Sequence, residues 1–203
     1  HEVRNPLAGL RASLQILEQR RADTRDREII GAMVQRIDDL NAKVEDLLLY
    51  ARPKPPRLQP VDVGALMREV AHSARVATGS LCPLIDVSDG DAVLVLADLD
   101  MLRAALLNVT MNACQAAGNG RVEATIEVHQ GHCRIAVHDH GPGIPPDVRE
   151  RMFEPFFTTR AGGTGLGLAI VKRLVELLNG TISLSDRDGG GAVAEISVPL
   201  APS

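Results

Sequence analysis

Three prolines within Arg52-Pro-Lys-Pro-Pro-Arg57 decide how this chain is organised. Proline fixes φ, lacks an amide donor and drives the residue before it out of the helical region, so no helix runs through such a stretch. The pattern before it differs from the pattern after it. Val3, Leu7, Leu10, Leu14 and Leu17 are spaced by 4, 3, 4 and 3 residues. Ile30, Met33, Ile37, Leu40, Val44 and Leu47 continue in alternating threes and fours. Each set makes one apolar stripe on an α-helix. The polar segment Arg20–Thr24 lies between them, and Asp23 or Thr24 suits the N-cap of the second helix. Residues 1–52 are therefore predicted to form an all-α helical hairpin. Two helices of this length bury a single seam, so a homodimer completing a four-helix bundle is the expected assembly.

Residues 53–56 are the predicted linker, and 57–203 a second domain of mixed period. Helices are expected over 62–81, 100–117 and 165–178, the last stopped by Asn179-Gly180. Strands are expected at 84–87 and 93–96, then as hairpins at 122–128 with 133–137 and 181–184 with 192–198. Sequential hairpins with helices between them predict an α+β two-layer sandwich, helices on one face of the sheet.

Composition narrows the function. The net charge of −4 removes any general case for nucleic acid or an anionic membrane surface. Phe153, Phe156, Phe157 and Tyr50 are the whole aromatic complement, so aliphatic side chains must build the core. Cys82, Cys114 and Cys133 are odd in number and widely spaced, which reads as a reduced, cytoplasmic protein without disulfides or a zinc site. The chain starts at His1 with its helical pattern already under way at Val3, so it reads as part of a longer protein. The lack of an apolar run long enough to span a membrane then says nothing of the parent's anchorage.

Three groups carry chemistry. His1-Glu2-Val3-Arg4-Asn5-Pro6 sets His1 and Asn5 on one helix face. Such a pattern is either a solvated surface or a nucleophilic imidazole with a carboxylate to take its proton. Asp139-His-Gly141-Pro-Gly143-Ile144 follows a strand, and Gly163-Thr164-Gly165-Leu166-Gly167-Leu168 opens a helix. These are either two ordinary turns or loops whose backbone amides approach phosphates at a helix N-terminus. Asn108 and Asn112 place two amides on one helical face, as a hydrogen-bonded core pair or as oxygen ligands for a hydrated Mg2+.

In order and spacing, these residues resemble the sensor histidine kinases over nearly the whole chain. His1–Leu10 is similar to the H-box, Asn108–Ala113 to the N-box and Asp139–Ile144 to the G1 box. Arg151–Arg160 resembles the F-box and Gly163–Ala169 the G2 box, most like the nitrogen-regulation type. The resemblance implies a protein histidine kinase with a Bergerat-type ATP-binding domain. His1 would accept phosphate from ATP, Glu2 would act as base, and Asn5 would orient water when the enzyme dephosphorylates its partner. That partner would be a response regulator, whose aspartate takes the phosphate. Asn112 would hold Mg2+, assisted by Asn108, and Asp139 would accept from the adenine amino group. Gly141, Gly143, Ile144, Gly163, Thr164, Gly165, Leu166, Gly167 and Leu168 would shape the nucleotide pocket and its lid. Phe157, Thr158, Thr159 and Arg160 would border the pocket, with Phe153, Phe156 and Phe157 anchoring one end of the lid. The related ATPases carry a water-activating Glu at the position of Asn108, and an amide cannot serve as that base. Gln115 stands where many relatives place a basic residue, and Arg160 could supply that charge instead.

Overall fold

The computed structural model describes residues 7, 9–12, 14, 16, 17, 24–51, 53–78, 85–87, 92–118, 120–160, 163–187 and 189–202. It divides into two compact units, 1–52 and 53–203.

In the first unit the described residues between Leu7 and Leu17 are helical. A longer helix, α1, spans Thr24–Ala51. Arg11 and Asp38 link the two helices through an ion pair of 2.7 Å. Met33, Leu40 and Leu47, every second member of the apolar stripe on α1, are 48%, 47% and 44% exposed within the chain. Aliphatic side chains at helical spacing left this open need a further surface to cover them. No helix among the described residues is long and apolar enough to cross a membrane.

The second unit runs β1 (Gln59–Asp62), α2 (Val63–Thr78), β2 (Ile85–Val87), β3 (Leu94–Ala97) and α3 (Leu99–Ala117). It continues with β4 (Val122–His129), β5 (His132–Asp139), α4 (Pro146–Arg149), α5 (Gly167–Leu177), β6 (Thr181–Asp186) and β7 (Ala192–Pro199). The main sheet has the order β2-β4-β5-β7-β6. Its β2–β4 pair is parallel and its other described pairs are antiparallel. β1 and β3 form a separate antiparallel pair.

Alternation along β5 and its neighbours gives the sheet one apolar face. Cys133, Ile135 and Val137 are buried, and their register partners Val198, Ile196 and Ala194 on β7 continue the row. Helix α3 packs against α2 on one side and α5 on the other. Its buried residues include Leu102, Ala105, Leu106, Val109 and Ala113, a stripe at helical spacing. Leu102, Leu106, Ile135, Ile170, Leu174 and Ile196 are fully buried, so aliphatic residues do build this core.

Asp98 starts α3 and ties it to the chain emerging from the prolines. Its Oδ1 accepts from the amides of Asp100 and Met101 at 3.1 Å each. Its Oδ2 accepts from the amide of Arg57 at 2.8 Å. Desolvation would raise the Asp98 pKa, but the amides of Arg57, Met101 and Asp100 outweigh it and hold the carboxyl below its usual range. A depressed folded pKa means the stabilisation is present above the unfolded pKa of about 4 and is lost as pH falls through the folded value. Asp98→Ala is expected to lower stability by about 1 kcal/mol at pH 7 in urea unfolding. The difference from wild type should shrink below about pH 4. A loss that stayed the same through that range would show that the carboxylate is not the source.

Candidate functional site

The site assembles where the C-terminal half of α3, the end of β5 and the N-terminus of α5 converge with the turns between them. Asp139, the last residue of β5, is 6% exposed. Its Oδ1 accepts from the amide of Gly141 at 2.8 Å and from that of Ala192 at 3.2 Å. Both bonds use one oxygen, so the second oxygen of the carboxylate retains acceptor capacity. Gly141 fits between helix and strand because a Cβ there would lie 2.8 Å from the carbonyl oxygen of Ala116 and 2.9 Å from Asp139 Oδ1.

The turn after Asp139 is fastened from β6. Asp186 Oδ1 accepts from the amide of Ile144 at 2.9 Å, and Oδ2 pairs with Arg149. The Ile144 amide, then Arg149, hold the Asp186 carboxyl below its ordinary pKa. Gly143 sits at φ +82° against Asp186. Arg187 meets His140 Nε2, which lies 3.7 Å from Glu123 on β4. Asp186, Arg187 and the Gly191–Ala192 backbone thus brace Asp139 and its turn. In sequence this hairpin reads only as a turn.

On α3, Asn108 faces the start of α5: a Cβ on Gly167 would stand 2.8 Å from Asn108 Oδ1. One turn further on, Asn112 Oδ1 accepts from Arg160 Nη1 at 3.1 Å. The same guanidinium bonds Gln115 Oε1, and its Nη2 reaches the Asn112 carbonyl at 3.4 Å. Arg160 therefore rests against the asparagine face while remaining solvent-exposed. Among the described residues no group of three or more His, Cys, Asp or Glu side chains could hold a metal ion. The oxygens available to a hard cation on this face are amide oxygens, which suit Mg2+ when phosphate and water complete the shell. Asn112 Oδ1 is already engaged as an acceptor by the guanidinium.

Gly165, just before α5, packs against the aromatic segment. A Cβ on Gly165, at φ +65°, would fall 2.4 Å from the Phe156 carbonyl carbon. Thr158 Oγ1 accepts from the Arg160 amide at 3.1 Å, and Thr164 Oγ1 from the Leu166 amide at 3.3 Å. Arg151 stacks 4.5 Å from the centre of the Phe157 ring. Lys172 on α5 lies 5.8 Å from that of Phe153. Phe156 is 66% exposed, so its ring is not an anchor within the unit. Leu166 is buried at the foot of α5, and Leu168 follows it in the first turn. Thr159 is exposed.

His1, Glu2 and Asn5 lie outside the described residues. The cysteine reading needs correction. Cys133 is free and buried, its thiol pushed up to about 11 by desolvation, but Cys114 is disulfide-bonded. Separation along the chain does not bound separation in the fold, so wide spacing is no argument against a bridge. The inference of a reducing compartment loses that support.

Comparison with known proteins agrees with this geometry. Residues 97–202 match the family described as histidine kinase-, DNA gyrase B-, and HSP90-like ATPase. Residues 1–56 match the His Kinase A (phospho-acceptor) domain. The signal transduction histidine-protein kinase AtoS of Escherichia coli (strain K12) is 33% identical over 100% of this chain and 34% of its own length. The sensory histidine kinase/phosphatase NtrB of Rhodobacter capsulatus is 30% identical over 100% of this chain and 60% of its own. The chain thus spans between about a third and three-fifths of these relatives. The crystal structure of full-length ShkA in complex with AMPPNP superimposes with a TM-score of 0.85 at 33% identity, over 100% of this chain and 45% of that one. With a phospho-acceptor region leading into an ATPase domain of this sheet order, the chain belongs to the sensor histidine kinase family.

Proposed function

We propose that residues 1–52 are the dimerising phospho-acceptor hairpin and 57–203 the domain that delivers ATP to it, joined by the linker 53–56. The observation that carries the proposal is the Asp139 carboxylate, one oxygen spent on Gly141 and Ala192 and the other left for an amino group. Adenine offers an amino hydrogen there, whereas guanine offers an acceptor that would oppose a carboxylate. Gly141, Gly143 and Ile144 floor the base pocket. Gly163, Thr164, Gly165, Leu166, Gly167 and Leu168 line the phosphate end, where helix α5 begins. Phe157, Thr158, Thr159 and Arg160 border the opening. Asn112 offers Oδ1 to a Mg2+ ion, with Asn108 beside it, and the metal when bound neutralises charge on the triphosphate.

In this reading a ring nitrogen of His1 attacks the γ-phosphorus, an N–P bond forms, and the bond to ADP breaks. Glu2 takes the imidazole proton. The phosphoryl group then passes to an aspartate of a response regulator, and Asn5 positions water when that aspartyl phosphate is hydrolysed. The kinase/phosphatase character of NtrB supports this dual role and a nitrogen-regulation-like subgroup. Asn108 supports transfer to histidine over hydrolysis, because its amide cannot act as the water-activating base. The exposed stripe of Met33, Leu40 and Leu47 supports a homodimer through the hairpin.

The test is transfer of γ-labelled phosphate from Mg·ATP to the purified chain and to His1→Gln. Acid-labile, base-stable label is expected on the wild type, falling to background in the variant. ATP binding without label would sink autophosphorylation as the main activity. Rapid release of free phosphate without labelled protein would point to an ATPase.

A further inference from the structure

We propose that Arg160 is a displaceable counter-ion: in the nucleotide-free protein it occupies the metal-binding face of α3, and it must leave before a divalent cation takes Asn112 Oδ1. The inference rests on the reading of that face as the Mg·ATP site and adds a competitor to it.

One guanidinium makes three bonds to α3, to Asn112 Oδ1, Gln115 Oε1 and the Asn112 carbonyl. Asn112 and Gln115 are three apart and so share a helix face. All three acceptors are neutral, so the positive charge is fixed in place but not compensated by them. Mg2+ binds oxygen at about 2.0–2.1 Å. Seated on Asn112 Oδ1, it would stand within a few ångströms of a guanidinium nitrogen now 3.1 Å from the same atom. Two cations cannot share that oxygen without strong repulsion. Gln115 makes the arrangement possible, because a lysine or arginine there would repel Arg160 from the helix.

Arg160 is also tied to its own neighbours. Its amide bonds Thr158 Oγ1, and a Cβ on Gly163 would lie 2.6 Å from that oxygen and 3.5 Å from the Arg160 Cβ. A phosphate group gives the freed guanidinium a charged, two-pronged partner in place of neutral oxygens. Metal entry and phosphate capture thus become one exchange.

The experiment titrates Mg2+ calorimetrically into protein with saturating ADP, for wild type, Arg160→Gln and Gln115→Ala. Removing the competitor should lower the Mg2+ concentration at half-saturation by roughly three- to tenfold in Arg160→Gln, and by less in Gln115→Ala. A second readout is chymotrypsin cleavage at the exposed Phe156 without nucleotide, expected to be about fivefold faster in Arg160→Gln. Unchanged Mg2+ half-saturation and cleavage in a protein that binds ADP would overturn the counter-ion while leaving the nucleotide site intact. Failure of the wild type to bind ADP, with or without Mg2+, would overturn the underlying site and the counter-ion with it.

Discussion

Asp139→Asn is expected to weaken ATP binding by roughly 10- to 100-fold, the equivalent of about 1.5–3 kcal/mol for a hydrogen bond to a charged group. The reason lies in what faces the carboxylate. Oδ1 receives two backbone donors, from Gly141 and Ala192, and the other oxygen is assigned a third, the adenine amino group. A carboxylate presents acceptors on both sides, whereas an amide presents one acceptor and one donor. Whichever way the introduced amide turns, an N–H meets another N–H: against the two backbone donors it loosens the pocket, against adenine it rejects the base. Titration calorimetry with ATP measures the effect, and the melting temperature without nucleotide separates the two orientations. A large loss of melting temperature with near-normal binding would place the NH2 against the backbone. Binding within twofold of wild type and an unshifted melting temperature would remove Asp139 from the site.

The parts of the fold with a strong local period can be read from the sequence. Helix α3 runs Leu99–Ala117 where the spacing predicts 100–117, and the β4–β5 hairpin turns at Gly131, φ +79°. Apolar residues at regular intervals face one core, so the pattern and the structure have the same cause. Strand β1, Gln59-Pro-Val-Asp62, has no such pattern and is not predicted. It exists because β3, some 35 residues on, supplies its partner. The short helix α4 is missed as well, since a single turn after Pro145 has no periodicity to detect. The site divides in the same way. Asp139 and the glycines stand in compact motifs, but the contacts that hold them come from far along the chain. Asp186 reaches Ile144 across 42 residues, and Arg160 reaches Asn112 across 48. Neither pairing leaves a local trace, because an exposed aspartate or arginine looks alike in sequence whether it is solvated or braces a loop.

Gly191 is the sharpest such case and gives the second large effect. Gly189, Gly190 and Gly191 all have φ between +91° and +103°, and in sequence they look like equivalent turn residues. Any L-residue is strained at such angles, by about 1–2 kcal/mol. Surroundings then separate them. A Cβ on Gly189 or Gly190 would meet nothing within 4 Å, but on Gly191 it would fall 1.9 Å from the Asp139 carbonyl oxygen and 2.8 Å from its carbon. Those are backbone atoms of the central strand β5, so the hairpin must back away, taking the Ala192 amide from Asp139 Oδ1. Gly190→Ala should therefore lower stability by only the backbone term, about 1–2 kcal/mol. Gly191→Ala should lower it by about 3 kcal/mol or more, a fall of roughly 6–12 °C in melting temperature. The protein that remains folded should bind ATP at least about tenfold more weakly, because the carboxylate loses a bond that orients it. Urea unfolding and ATP titration on the two variants side by side decide the matter. Equal losses of stability and equal affinities would mean that the hairpin tip only closes a turn; a larger loss of stability in Gly191→Ala, with weakened ATP binding in that variant alone, would make it the back wall of the adenine site.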